Sequence, residues 1–169
     1  MFIDTNKISE KGLIVSNSFS LDEDMLIEEN AFFLDDLKYY VLFNRDGDRI
    51  KAKGNIKTVI SLRCVKCLDD FELNIDLNFD IILFPVNLVN SESNSISLDE
   101  MEYIFYDDNR VDLIKILLEQ INLFIPYDPI CKSDCKGICP NCGTNLNHAK
   151  CKCENSSKEL NFLFNKIKR

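Results

Sequence analysis

Eight cysteines in a chain of 169 residues fall as closely spaced pairs, and closely spaced thiols are the donor set of a tetrahedral metal site. Six lie in one C-terminal run, Cys131, Cys135, Cys139 and Cys142, closed by Cys151 and Cys153. The other two form Cys64-Val-Lys-Cys67. A short loop between two thiolates lets both sulfurs reach one ion, and Gly143, directly after Cys142, lets the backbone turn beneath it. Eight thiolates suffice for two complete four-cysteine zinc sites. Such a closed set has no open coordination position, so the chemistry it points to is structural rather than catalytic.

Cys139, Cys142, Cys151 and Cys153 are local to one another, so closing them on one ion costs little loop entropy; they are assigned to a zinc-ribbon site. Cys64, Cys67, Cys131 and Cys135 are left over. They either form a second site, stapling two distant segments, or stay free. An iron–sulfur cluster is the competing occupant, since thiolates bind both metals. The spacing Cys135-x-x-x-Cys139-x-x-Cys142 matches that of radical enzymes using S-adenosylmethionine. Those enzymes carry it early in a large α/β barrel, whereas here it lies late in a short chain without βα alternation. A thioredoxin-like role for Cys64 and Cys67 needs a strand-to-helix junction, and the flanks read as antiparallel strands. His148, the single histidine, is an exposed loop residue or the fourth ligand of a site with three cysteines.

Lys66, Lys132, Lys136, Lys150 and Lys152 interleave the cysteines. They either ease the net charge of −2 that four thiolates leave around Zn²⁺ or present a basic face to RNA; one arrangement can do both. No Ser/His/Asp set, phosphate-binding glycine loop or paired carboxylate accompanies them, so no catalytic residue is assigned and no small-molecule substrate is inferred.

The elements that must position these residues can be read from the pattern. Hydrophobic residues make up 46 % and charged residues 28 %, ordinary for a globular chain. The net charge of −8 argues against a general nucleic-acid-coating surface. The N-terminus shows no basic region followed by an apolar stretch, and the longest apolar run, Ile81-Ile-Leu-Phe84, is too short for a membrane span. A cytoplasmic chain with reduced thiols is expected. Residues 1–36 are poorly defined; Ser20-Leu-Asp-Glu23 has capping-box spacing and would start a short acidic helix through Glu29. Residues 37–127 read as an antiparallel sheet of about four strands with one helix. Tyr39, Val41 and Phe43 alternate, and Arg45-Asp-Gly-Asp48 makes a turn centred on Asp-Gly. Ile50, Ala52, Ile56, Val59 and Leu62 follow, with a kink at Gly54. Phe71, Leu73, Ile75, Leu77, Phe79 and Ile81 then alternate cleanly. Cys64 and Cys67 thus sit at a hairpin tip. Val86 to Glu100 reads as a loop and Met101 to Tyr106 as a strand. A helix capped by Asp112 buries Leu113, Leu117, Ile121 and Phe124, widened by Ile114 and Leu118, and ends at Pro126. Residues 128–169 form the cysteine module and a final helix after Ser156, bearing Leu160, Leu163, Phe164 and Ile167 on one face.

The order of these features carries a resemblance. Cys64-Val-Lys-Cys67-Leu-Asp-Asp-Phe71, a helix running into Leu123-Phe-Ile-Pro126-Tyr-Asp-Pro129, then Cys131, Cys135-Lys-Gly-Ile-Cys139-Pro-Asn-Cys142-Gly, Leu146-Asn147, Cys151 and Cys153 resemble the bacterial YceD (DUF177) family, the large ribosomal RNA subunit accumulation proteins. The resemblance runs from about residue 37 to the end and implies a role in 23S ribosomal RNA accumulation. In that family the gene often neighbours that of a zinc-ribbon protein of the large subunit. Some branches keep the first Cys-x-x-Cys and a later Cys/His pair without the terminal ribbon, which favours joining Cys64 and Cys67 to Cys131 and Cys135. The fold class expected is therefore α+β, with a C-terminal four-cysteine zinc-ribbon-like module and two Zn²⁺. The function expected is a non-enzymatic factor in large-subunit biogenesis that binds ribosomal RNA or a ribosomal protein. An iron–sulfur or redox RNA-processing enzyme and a zinc-dependent interaction module outside the ribosome are the alternatives.

Overall fold

The computed structural model describes residues 1–21, 26, 31–86 and 102–153. The expected acidic helix after Ser20, the loop up to Glu100 and the final helix beyond Ser156 fall largely or wholly outside the described residues. The chain divides into two compact units: residues 1–62 with 72–127, and residues 63–71 with 128–169. The first holds strands β1 (Phe2–Asp4), β2 (Leu13–Phe19), β3 (Phe32–Phe33) and β4 (Leu37–Asp46) and most of β5 (Arg49–Arg63) and β6 (Asp70–Pro85). It also holds β7 (Glu102–Tyr106), β8 (Arg110–Asp112) and the helix α1 (Leu113–Phe124).

Strand alternation builds the larger sheet. Leu37, Tyr39, Val41 and Phe43 of β4, Ile50, Ala52, Ile56, Ile60 and Leu62 of β5, and Ile75, Leu77, Phe79, Ile81 and Leu83 of β6 are buried. On β5 the buried set includes Ile60 rather than the expected Val59, because strict period-two alternation runs from Ile56 to Leu62. β5 also runs unbroken through Gly54. That glycine leaves room for the Phe79 ring: a Cβ there would lie 2.5 Å from Phe79 Cζ and 2.7 Å from the Tyr40 carbonyl oxygen. The β4–β5 hairpin pairs Asp46 with Arg49, so Gly47 and Asp48 are the central residues of its turn, one position later than Asp-Gly. Gly47 has a φ of 60°, the conformation a tight hairpin turn demands. On the other sheet face, charges pair across strands, among them Lys57 with Asp76 at 3.0 Å and Lys53 with Asp80.

The α+β class holds, with three revisions. Among the described residues the larger sheet has six strands, ordered β2-β4-β5-β6-β7 with β3 pairing β5. It is mixed rather than wholly antiparallel, since β7 runs parallel to β6, matching Ile81–Pro85 to Glu102–Tyr106. And the segment before residue 37 contributes three strands, of which β1 pairs with β8 in a separate two-stranded sheet.

The helix α1 buries Leu113, Ile116, Leu117, Gln120 and Ile121. Ile116 and Gln120 widen the buried stripe, whereas Ile114 and Leu118 are half-buried and Phe124 is exposed. Asp112 stands at the N-cap as expected but makes no side-chain cap bond. Its Oδ1 faces the N-terminal ammonium of Met1 at 3.4 Å, and the Leu113 N–H donates to the Met1 carbonyl at 3.0 Å. No helix among the described residues is long and apolar enough to cross a membrane.

Candidate metal centres

The second unit takes the hairpin tip, residues 63–71, together with residues 128–169. The tip is a tight loop: the Cys64 N–H donates to the Asp69 carbonyl and the Leu68 N–H to the Cys64 carbonyl, both at 2.9 Å. Leu68 takes a φ of 63° to close it. Two further segments clasp this loop by backbone bonds. The Val65 N–H donates to the Pro129 carbonyl at 2.9 Å and the Ile138 N–H to the Lys66 carbonyl at 3.0 Å. Gly137 permits the second clasp, having a φ of 70° and a position where a Cβ would lie 3.0 Å from the Lys66 carbonyl oxygen. Residues 139–144 fold back on themselves through Cys139 N–H to Thr144 carbonyl, 2.8 Å, and Gly143 N–H to Cys139 carbonyl, 2.9 Å.

These turns gather the cysteines into two quartets, Cys64/Cys67/Cys131/Cys135 and Cys139/Cys142/Cys151/Cys153, each with its sulfurs within 4.8 Å of one another. Cys64 Sγ lies 3.8 Å from Cys135 Sγ, and Cys67 Sγ 3.7 Å from Cys131 Sγ. A disulfide would need about 2 Å. Zinc–thiolate bonds of about 2.3 Å in a regular tetrahedron set sulfurs about 3.8 Å apart, so these two sulfur pairs are spaced as edges of a tetrahedral metal site. Both quartets could hold a metal ion. Cys64 and Cys67 are buried, while Cys142 of the second quartet is exposed.

Proton affinities within each quartet diverge. At Cys64, burial opposes ionisation, but the backbone N–H groups of Cys131, Cys67 and Lys66 and the Cys67 thiol overcome it and bring the thiol down to about 6. At Cys67, the Asp69 N–H favours the thiolate, but burial and the neighbouring Cys64, Cys131 and Cys135 sulfurs outweigh it and push the thiol up to about 12. The second quartet repeats the pattern. The Thr144 hydroxyl, 3.2 Å away, its N–H and the Cys153 and Cys139 thiols bring Cys142 down to about 6. Cys142, then burial and Cys139, push Cys153 up to about 12. Four thiols in so small a space release one proton easily and hold the last, because each new thiolate repels the next; a divalent cation removes that repulsion.

Sequence pattern alone does not reveal the polar network that ties the loops together. Asn145 Nδ2 donates to the Cys67 carbonyl at 3.3 Å and to Asp69 Oδ2 at 2.8 Å. Asn145 Oδ1 accepts from the Asn147 N–H, and Asn147 Nδ2 donates to Cys135 Sγ at 3.4 Å, lowering that thiol's pKa. Of the two readings open for His148, the structure gives the first: it belongs to neither quartet and is exposed, with Nε2 2.9 Å from Asp69 Oδ2. His148 and then Asn145 hold the Asp69 carboxyl below its usual range. Lys66, Lys132, Lys136, Lys150 and Lys152 are all exposed on these loops, and Lys132 lies 3.9 Å from Asp134.

Residues 52–166 match the family model described as large ribosomal RNA subunit accumulation protein YceD, a span that encloses all eight cysteines. Among curated proteins the chain is 26 % identical over 140 residues to the chloroplastic large ribosomal RNA subunit accumulation protein YCED homolog 1 of Arabidopsis thaliana. That alignment covers 70 % of this chain and 44 % of the relative. The homologue of the same name in Zea mays is 28 % identical over 65 % of this chain and 46 % of its own length. An uncharacterized protein of Mycobacterium leprae is 23 % identical over 59 % of this chain and 44 % of its own length. The chain thus spans less than half the length of the curated relatives it matches. No solved structure matches it.

Proposed function

The chain belongs to the YceD family of large ribosomal RNA subunit accumulation proteins, and from that membership we propose that it is a non-enzymatic accessory factor in large ribosomal subunit biogenesis. It supports 23S ribosomal RNA accumulation by binding ribosomal RNA or a ribosomal protein in the cytoplasm. The single observation that carries the proposal is the family match over residues 52–166.

In this reading each quartet holds one Zn²⁺, and its role is to order the loops. Four thiolates fill a tetrahedral zinc and leave no position for a substrate, which supports binding over catalysis. The module is short and poor in apolar residues, so metal supplies the folding free energy that a hydrophobic core cannot. Residues 128–169 then act as a zinc-ribbon module, and residues 37–127 as the sheet-and-helix body. The lysines at positions 66, 132, 136, 150 and 152 face RNA from the ordered loops, while the acidic remainder of the chain suits a basic ribosomal protein, since complementary charge speeds encounter.

Deleting the gene and sedimenting a cell extract tests the reading. Large subunits should fall relative to small ones, with 23S ribosomal RNA depleted. An unaltered ratio refutes the ribosomal role.

A further inference from the structure

Away from the cysteines, the first unit carries a groove of about 480 Å³ lined by residues of β1, β7, β8 and α1. Two aromatic rings stand open on its wall: Phe2 is 68 % exposed and Phe105 48 % exposed. Arg110 and Lys115 share that wall, and neither side chain has an ion-pair partner among the described residues. Asp107 and Glu119 add carboxylates, whereas Asp112 is engaged by the N-terminal ammonium.

We propose that this groove is a stacking site for an unpaired base of single-stranded RNA, an inference that rests on the RNA-directed part of the reading above. Proteins hold splayed-out bases on open aromatic rings with cations alongside for the phosphates. Phe2 and Phe105 supply the rings, and Arg110 and Lys115 the cations. The carboxylates of Asp107 and Glu119 are acceptors for the exocyclic amino group of adenine or cytosine. The volume lies in the range of small-ligand sites, about 300–1,000 Å³. Stacking does not depend on net charge, so it gives a chain of net charge −8 a way to hold RNA without a general basic surface. A protein anchor is the poorer fit, because an apolar side chain would bury Arg110, Lys115, Asp107 and Glu119 without matching them.

The test uses the full, metal-replete chain and a labelled oligoadenylate of about 12 nucleotides, within the site size of single-strand-binding folds. The double variant Phe2→Leu/Phe105→Leu keeps apolar side chains and removes both rings; its affinity should fall about tenfold or more, with circular dichroism and metal content unchanged. Arg110→Gln should flatten the slope of log affinity against log salt by about 0.7. Photocrosslinking of the parent chain, which needs no variant to fold, should place adducts at Phe2 or Phe105. If adducts form only on the cysteine loops, and changing their five lysines to alanine abolishes binding while the ring variant binds normally, the groove inference falls and the RNA reading stands. A parent chain that binds no RNA overturns both. A groove that takes an apolar peptide and is not cleared by oligoadenylate overturns the inference in favour of a protein partner.

Discussion

Gly137 and Gly143 share almost the same backbone conformation, φ 70° and 71°, yet sit in opposite surroundings, so alanine at each position separates conformational from steric cost. At Gly143 an added Cβ meets nothing within 4 Å. Gly143→Ala should cost only the left-handed conformation of an L-residue, about 1 kcal/mol. At Gly137 the Cβ would stand 3.0 Å from the Lys66 carbonyl oxygen, the acceptor of the Ile138 N–H bond. The Lys66 carbonyl must shift away, so Gly137→Ala adds up to the loss of that bond, about 1 kcal/mol, for a total of about 2 kcal/mol. Native-state amide hydrogen exchange on the metal-replete protein reads this locally. Exchange at Ile138 and Val65 should accelerate by roughly 30-fold in Gly137→Ala, against about fivefold at Cys139 in Gly143→Ala. Equal acceleration in the two variants would refute the idea that the hairpin tip is held by backbone contact at Lys66. So would an unchanged Ile138 amide in Gly137→Ala.

Elemental analysis of protein purified without added metal should give close to two zinc per chain; a brown protein rich in iron, or mapped disulfides, would exclude two zinc sites. Cys142→Ser should raise hydrogen exchange across residues 136–153 while the sheet amides stay protected, and simultaneous loss of sheet protection would show that the units do not fold independently. Gly54→Ala forces a methyl group into the Phe79 ring and the Tyr40 carbonyl and should cost about 1–3 kcal/mol, seen as a lower midpoint in thermal unfolding. Asp76 has its carboxyl held below the usual range by hydrogen bonds from Asn55 and Lys57, so the unfolded chain binds its proton more readily. Its contribution is present above about pH 4 and is lost as the pH falls through the folded value. Asp76→Asn should therefore lower the neutral plateau slightly and leave the acid end unchanged, which flattens the acid limb of a stability–pH curve; the effect is small because the carboxylate is exposed.

What can be read from this sequence is what short chain segments decide. The alternation of Tyr39, Val41 and Phe43 and of Ile75, Leu77, Phe79 and Ile81 marks which face of each strand is buried, because side-chain direction reverses at every residue. The quartet of Cys139, Cys142, Cys151 and Cys153 is legible for the same reason: its four cysteines lie within a short stretch, and spacing alone lets them converge. Tertiary structure decides whatever depends on segments far apart in the chain. The convergence of Cys64 and Cys67 with Cys131 and Cys135 is of this kind, left open by spacing and suggested only by resemblance. The parallel pairing of β7 with β6 and the antiparallel pairing of β1 with β8 have no local signature, since a strand's own pattern says nothing about its neighbour's direction. On α1, apolar residues occupy more of the circumference than the core can cover, so packing alone chose Ile116 over Ile114. The Asp69, Asn145 and His148 network joins residues 76 to 79 positions apart, and no motif announces it; it forms because folding carries the hairpin tip and the loop of Asn145 and His148 to the same place.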